Sequence, residues 1–138
     1  MFAILFHILC YDLWYYCAHI LLHNRNMYRI HKKHHYNKEL TFLDAYELHW
    51  LETPLSGVGI AFSYVVTNYS AYELSWALVI LNFRNMLKHD KRGIWLVGNH
   101  HLLHHKYPNY NFGEHWIDSL CNTKYPNEKE YVYGLICA

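Results

Sequence analysis

No pair of cysteines in this chain stands in a CxxC arrangement, and only four occur in all, Cys10, Cys17, Cys121 and Cys137. A thiol-redox motif and a cysteine-built zinc site are therefore excluded. Cys10 and Cys17 lie two turns apart on a predicted helix, about 10 Å, too far to bridge. The cysteines are expected to pack as reduced, small apolar groups. Charge of one sign is scarce as well. With net charge +1, and with Lys and Arg gathered into particular loops, the chain has no broad basic face and nucleic acid is not its partner. Three prolines and six glycines form no low-complexity stretch, and no internal repeat appears. The N-terminal apolar run has neither a basic segment before it nor a small-residue cleavage site after it, which argues against a cleaved signal.

Apolar and aromatic residues are abundant. A hydrophobic content of 53% with 18% aromatics is high for 138 residues and points to a protein in or on a membrane. One domain, residues 1–138, is the expectation for this length. Residues 1–23 match the roughly 20 residues that span a bilayer core. Their polar side chains Asp12, Tyr16, His19 and His23 recur at steps of four, three and four, a single stripe that must face protein. The following segment, with Arg25, Arg29, Lys32, Lys33 and Lys38, is cytosolic by the positive-inside rule. Residues 40–52 are expected to form an interfacial amphipathic helix. Residues 55–82 are apolar with an interruption at Thr67, Asn68, Tyr69 and Ser70, and read either as one span or as a hairpin of two short arms. The basic run Arg84, Lys88, Lys91 and Arg92 favours the hairpin, which keeps all histidine clusters on one side. Residues 124–130 are expected to be a charged surface segment.

Histidine carries the chemistry. Thirteen are present, and nine fall into HxxxH (His19, His23), HxxHH (His31, His34, His35), a single His89 and a second HxxHH (His101, His104, His105). Residues three and four apart share a helix face, so each cluster can aim its rings at one point. Imidazole suits iron, zinc, copper and nickel, and nine nitrogens exceed what one ion can hold. The count argues for two metals. His7, His49, His100 and His115 have no such partners and are expected to be packed, hydrogen-bonded or solvated. Asp12, Glu52 and Asp118 either orient ligand imidazoles or cap helices and pair with lysines.

The run DLWYYCAHILLHNRNMYRIHKKHH followed by HHLLHHKYPNYNFGEHWIDSL resembles the fatty acid hydroxylase superfamily, the membrane group of sterol desaturases, sterol methyl oxidases and fatty acid hydroxylases, from about Asp12 to Thr123. The matching residues are Asp12, Tyr16, His19 and His23; Tyr28, Arg29, His31, Lys32, His34 and His35; and His101, His104, His105, Asn109 or Asn111, Phe112, Gly113, Trp116 and Asp118. The resemblance implies an all-α integral membrane protein with a cytosol-facing centre of two iron ions, for which zinc can substitute on overexpression. Its expected ligands are His19, His23, His31, His34, His35, His89, His101, His104 and His105. The implied reaction uses O2 and two electrons from a cytochrome b5-type donor to hydroxylate or desaturate a sterol or fatty acyl C–H bond, at the endoplasmic reticulum.

Three departures from the family pattern stand out. Asn85 occupies a position where some relatives have histidine, and at most a weak or water-mediated contact is expected of it. Cys121, Asn122 and Thr123 stand where many relatives have Phe-Gly-Thr. Met1 lies only 18 positions before His19, where relatives carry further membrane helices, so the expectations are a reduced version of the domain, a fragment, or a subunit that completes its channel as a homo-oligomer. Trp14, Tyr15, Tyr64 and Trp76 either wall a substrate channel or face lipid and neighbouring helices. The alternative to the oxygenase is a non-catalytic, zinc-binding membrane protein.

Overall fold

The computed structural model describes residues 2–37, 39–67 and 70–136; Met1, Lys38, Asn68, Tyr69, Cys137 and Ala138 lie outside the described residues. Every regular element among them is helical. Helix α1 (Phe2–His23) lies against α3 (Glu52–Thr67) and α4 (Ala71–Lys88), with the short α2 (Tyr28–His31) following α1. Beyond α4 come three short helices, α5 (Ile94–Val97), α6 (His100–Lys106) and α7 (His115–Leu120).

Polar groups tie the three long helices together from inside. His7 Nδ1 meets Ser63 Oγ at 2.7 Å, and Trp14 Nε1 donates to the Leu55 carbonyl at 2.7 Å. Gly59 allows this closeness: a Cβ there would sit 2.7 Å from the Trp14 Cβ. At the α1–α4 crossing, Asp12 pairs with Arg84, which also reaches Glu114 at 3.2 Å, and Glu114 pairs in turn with Lys88. The outer faces are apolar and exposed: Leu5, Leu9 and Leu13 on α1, Phe62, Val65 and Val66 on α3, and Val79 and Phe83 on α4. Polar groups inside and apolar groups outside is the pattern that lipid selects. Only α1, among the described helices, is long and apolar enough to cross a membrane.

Residues 55–82 form two helical arms instead of one span, so the chain returns toward the end of α1 that carries His19 and His23. The amphipathic helix expected over 40–52 is replaced by a single 3-10 turn, Phe42–Tyr46. Its acidic residues do other work than forming a polar face. Asp44 takes the Thr41 N–H at 2.6 Å and the Thr41 hydroxyl at 2.8 Å, while Glu52 takes the His49 N–H at 2.9 Å. These are N-terminal capping contacts: Thr41 and Asp44 form a capping box that opens the 3-10 turn, and Glu52 caps the backbone just before α3. The segment 124–130 also folds back: Glu130 accepts from Lys106 at 2.7 Å and from Tyr107 and Tyr125, and its carbonyl accepts from Asn99. Gly98, at φ +77°, lets residues 132–134 pass close beside the turn between α5 and α6.

Candidate metal centre

Four stretches bring histidines to one place: the last turn of α1, α2 with the turn after it, the residue closing α4, and α6. The nine expected residues fall into two adjacent groups. His19, His23, His31, His35 and His104 form one, and His34, His89, His101 and His105 the other, with candidate ligand atoms within 4.8 Å of one another in each group. The HxxHH motifs divide between the groups: His31 and His35 serve one while His34 serves the other, and His104 and His101/His105 divide likewise. The groups share a wall, with the His35 and His105 rings 4.6 Å apart and the His31 and His34 rings 5.1 Å apart.

The rings are fixed from behind. His19 Nδ1 donates to the Phe112 carbonyl at 2.6 Å, His104 Nδ1 to the Tyr110 carbonyl at 2.6 Å, and His89 Nδ1 to the Asn85 carbonyl at 2.8 Å. His31 Nδ1 donates to the Glu52 carboxylate at 2.6 Å. A carbonyl only accepts, so the proton in these rings belongs on Nδ1 and the lone pair on Nε2. Those Nε2 atoms then face one another. His19–His31, His31–His35, His35–His104, His34–His89, His89–His101 and His101–His105 approach Nε2 to Nε2 at 2.9 to 3.2 Å.

His19 and His31 both have Nδ1 held by an acceptor, so their Nε2 lone pairs oppose each other and repel unless a cation lies between them. Protons are disfavoured in that role. Burial, with neighbouring histidines adding to it, holds His34, His101, His104 and His105 far below the ordinary imidazole range. Burial first and the nearby histidines second take His35 down to about 3, and burial takes His89 down to about 4. At neutral pH His34, His35, His89, His101, His104 and His105 are thus uncharged donors. The buried Nε2 of His23 has no hydrogen-bond partner either. Such a donor set fits two metal ions.

The residues around the groups divide by role. Glu52 orients His31 directly. Asp118, fully buried, accepts from the Phe112 and Gly113 N–H groups, the Thr123 hydroxyl and His100 Nε2, and so holds the loop whose Phe112 carbonyl orients His19. His100 is therefore buried beside Asp118 and points away from both groups. Asp12 belongs to the ion cluster and orients no imidazole. Asn85 accepts from His89 Nδ1 through its main-chain carbonyl and lines the smaller cavity with His31 and His34. Of Asn109 and Asn111, the buried one is Asn111: its Oδ1 accepts from the Tyr125 N–H and the Tyr131 hydroxyl, and its Nδ2 donates to the His100 carbonyl. At φ +59° it adopts a conformation that Asn tolerates well. Sequence reasoning missed Glu114, because its partners Arg84 and Lys88 lie far away in the chain. Its position just before the Trp-Asp element was the available signal.

A cavity of about 740 Å³ opens beside the centre, with His35 and His105, one from each group, in its wall. Leu40, Ile94, Leu102 and Leu103 supply its apolar lining, and Lys91, Lys106 and Glu130 its charged groups. A second cavity of about 230 Å³ reaches His31 and His34, again one from each group, and is lined by Tyr11 and Tyr15. Of the four aromatics considered as channel walls, Tyr15 lines a cavity, Trp14 bonds α3, and Tyr64 and Trp76 are exposed on the outside of the hairpin.

The fatty acid hydroxylase profile matches residues 4–123, most of the chain. The chain belongs to the fatty acid hydroxylase family. That family consists in general of iron-dependent oxidoreductases. No curated protein and no solved structure gives a significant match. All histidines of both groups lie inside the matched region, and so do Glu52, Glu114 and Asp118.

Proposed function

We propose that this fatty acid hydroxylase family member is a membrane-bound di-iron oxygenase that hydroxylates or desaturates a C–H bond of a sterol or fatty acyl lipid. The observation that carries the reading is the pair of all-imidazole groups whose candidate ligand atoms converge within 4.8 Å of one another in each group. Two bound irons would supply the one-electron chemistry with O2 that side-chain acids and bases cannot perform on an alkyl C–H bond. The balance is one O2, two electrons and two protons, giving either an alcohol and one water or an alkene and two waters.

The chain's own residues do the positioning. His19, His23, His31, His35 and His104 hold one ion, and His34, His89, His101 and His105 the other. Glu52 and the carbonyls of Phe112, Tyr110 and Asn85 keep the rings aimed inward. The larger cavity is of ligand size, within the roughly 300–1,000 Å³ typical of small-molecule sites. Its apolar lining would hold the lipid against His35 and His105, the seam between the two groups. Electrons come from a separate cytochrome b5-type donor. The apolar outer faces of α1, α3 and α4 support insertion in a membrane, which we place at the endoplasmic reticulum with the centre on the cytosolic side.

The test is reconstitution. Detergent-purified chain supplied with iron, cytochrome b5, its reductase and O2 should convert at least one lipid from a panel of sterols, ceramides and acyl lipids to a product one oxygen heavier or two hydrogens lighter. Iron-loaded protein that consumes no O2 with any of them would overturn the oxygenase reading.

A further inference from the structure

The two histidine groups are built differently. In the five-member group, three rings are held from behind by acceptors: His19 and His104 by carbonyls, and His31 by the buried carboxylate of Glu52 at 2.6 Å. In the four-member group, His89 has the Asn85 carbonyl, whereas the Nδ1 atoms of His34 and His105 are buried without a hydrogen-bond partner. An acceptor behind an imidazole raises its basicity and fixes its orientation, and a carboxylate does so most strongly. Glu52 also places a carboxylate beside the first group, and among the described residues no carboxylate bonds a ring of the second.

We propose that the two positions are unequal: the group of His19, His23, His31, His35 and His104 binds its metal more tightly and fills first, and the group of His34, His89, His101 and His105 is the weaker, exchangeable position. This rests on the metal-binding reading above and adds an order to it. The weaker position is also the more open. A six-coordinate ion keeps one free site beside five imidazoles and two beside four, so exogenous ligands bind at the four-histidine position. His105, which belongs to this group, stands in the wall of the larger cavity, so the accessible metal is also the one nearest the proposed lipid site. Glu52 acts here as a positioning residue, through His31.

The experiment is a titration of metal-free, detergent-purified chain with Co2+, followed by visible absorption and competition with a chelator. Two steps at least tenfold apart in affinity are expected, and azide should perturb the spectrum of the second more strongly than that of the first. Glu52→Gln should weaken the first step by about 10–100-fold and leave the second near its original affinity. His105→Ala should remove the second step and leave the first, which keeps the test decisive if the Glu52 variant does not fold. Two steps of equal affinity, or equal weakening of both by Glu52→Gln, would overturn the inequality while leaving the two-metal reading intact. No Co2+ binding at all would overturn both.

Discussion

Two buried polar clusters lie close together in this molecule, and they are opposites. The quartet of Asp12, Arg84, Glu114 and Lys88 contains two acids and two bases that pair among themselves. Its charges cancel within the cluster, although Glu114 Oε2 is buried without a hydrogen-bond partner. The nine histidines include no pair of opposite charges among themselves and turn their ring nitrogens toward each other. A buried cluster of paired opposite charges is a structural clamp, whereas one of converging imidazoles is a donor set suited to a cation.

Breaking the second cluster should have the largest effect. His104→Ala or His34→Ala is expected to abolish turnover and to lose the metal of its own group while membrane insertion stays intact. Measurement of product formation and membrane fractionation side by side checks this, and near-normal turnover in either variant would contradict it. Breaking the first cluster should cost stability instead. Asp12→Asn leaves Arg84 short of a charge partner in a buried site, a change expected to destabilise the fold by about 3–5 kcal/mol. Denaturant unfolding in detergent should show that loss with metal stoichiometry unchanged. Release of metal by Asp12→Asn would mean that the clusters are one unit.

Acid separates metal-free from metal-loaded protein. An unfolded imidazole titrates near 6.5, but the folded chain protonates His35 only at about 3 and His89 only at about 4. Below pH about 6.5 the unfolded state therefore binds protons that the folded state refuses. Stability of the metal-free chain is fully present above that pH and is lost as pH falls from about 6.5 through 4 toward 3. Loaded protein should hold its thermal midpoint further down and then release metal over the same window, since protons and metal compete for the lone pairs. A flat midpoint between pH 7 and 4 in metal-free protein would contradict the uncharged, buried cluster. The smallest effect belongs to the surface. Glu47→Gln, which removes the exposed Lys33–Glu47 pair, should change stability by no more than about 0.5 kcal/mol in the same assay.

The histidine centre was legible in the sequence because its information is local. HxxxH and HxxHH spacings place rings on one face, and the need to gather the clusters on one side favoured the hairpin over a single span. The division of each HxxHH motif between two groups was not legible, because His31, His34 and His35 sit where α2 ends in a turn, off the regular helical geometry. The quartet was hidden for the opposite reason. Asp12, Arg84, Lys88 and Glu114 come from three distant stretches, and no short pattern joins them. Residues 40–52 misled because Asp44 and Glu52 look like a helix's polar face but are consumed as acceptors for Thr41, His49 and His31. Asn111 was one of two candidates until the fold showed which asparagine is buried at positive φ.

Metal content per chain tests the convergence of the nine histidines most directly. Elemental analysis of protein purified in detergent after expression with iron supplied should give close to two transition-metal ions per chain, and iron as the main one. One ion per chain, or none, would contradict the paired centre and with it the oxygenase built upon it.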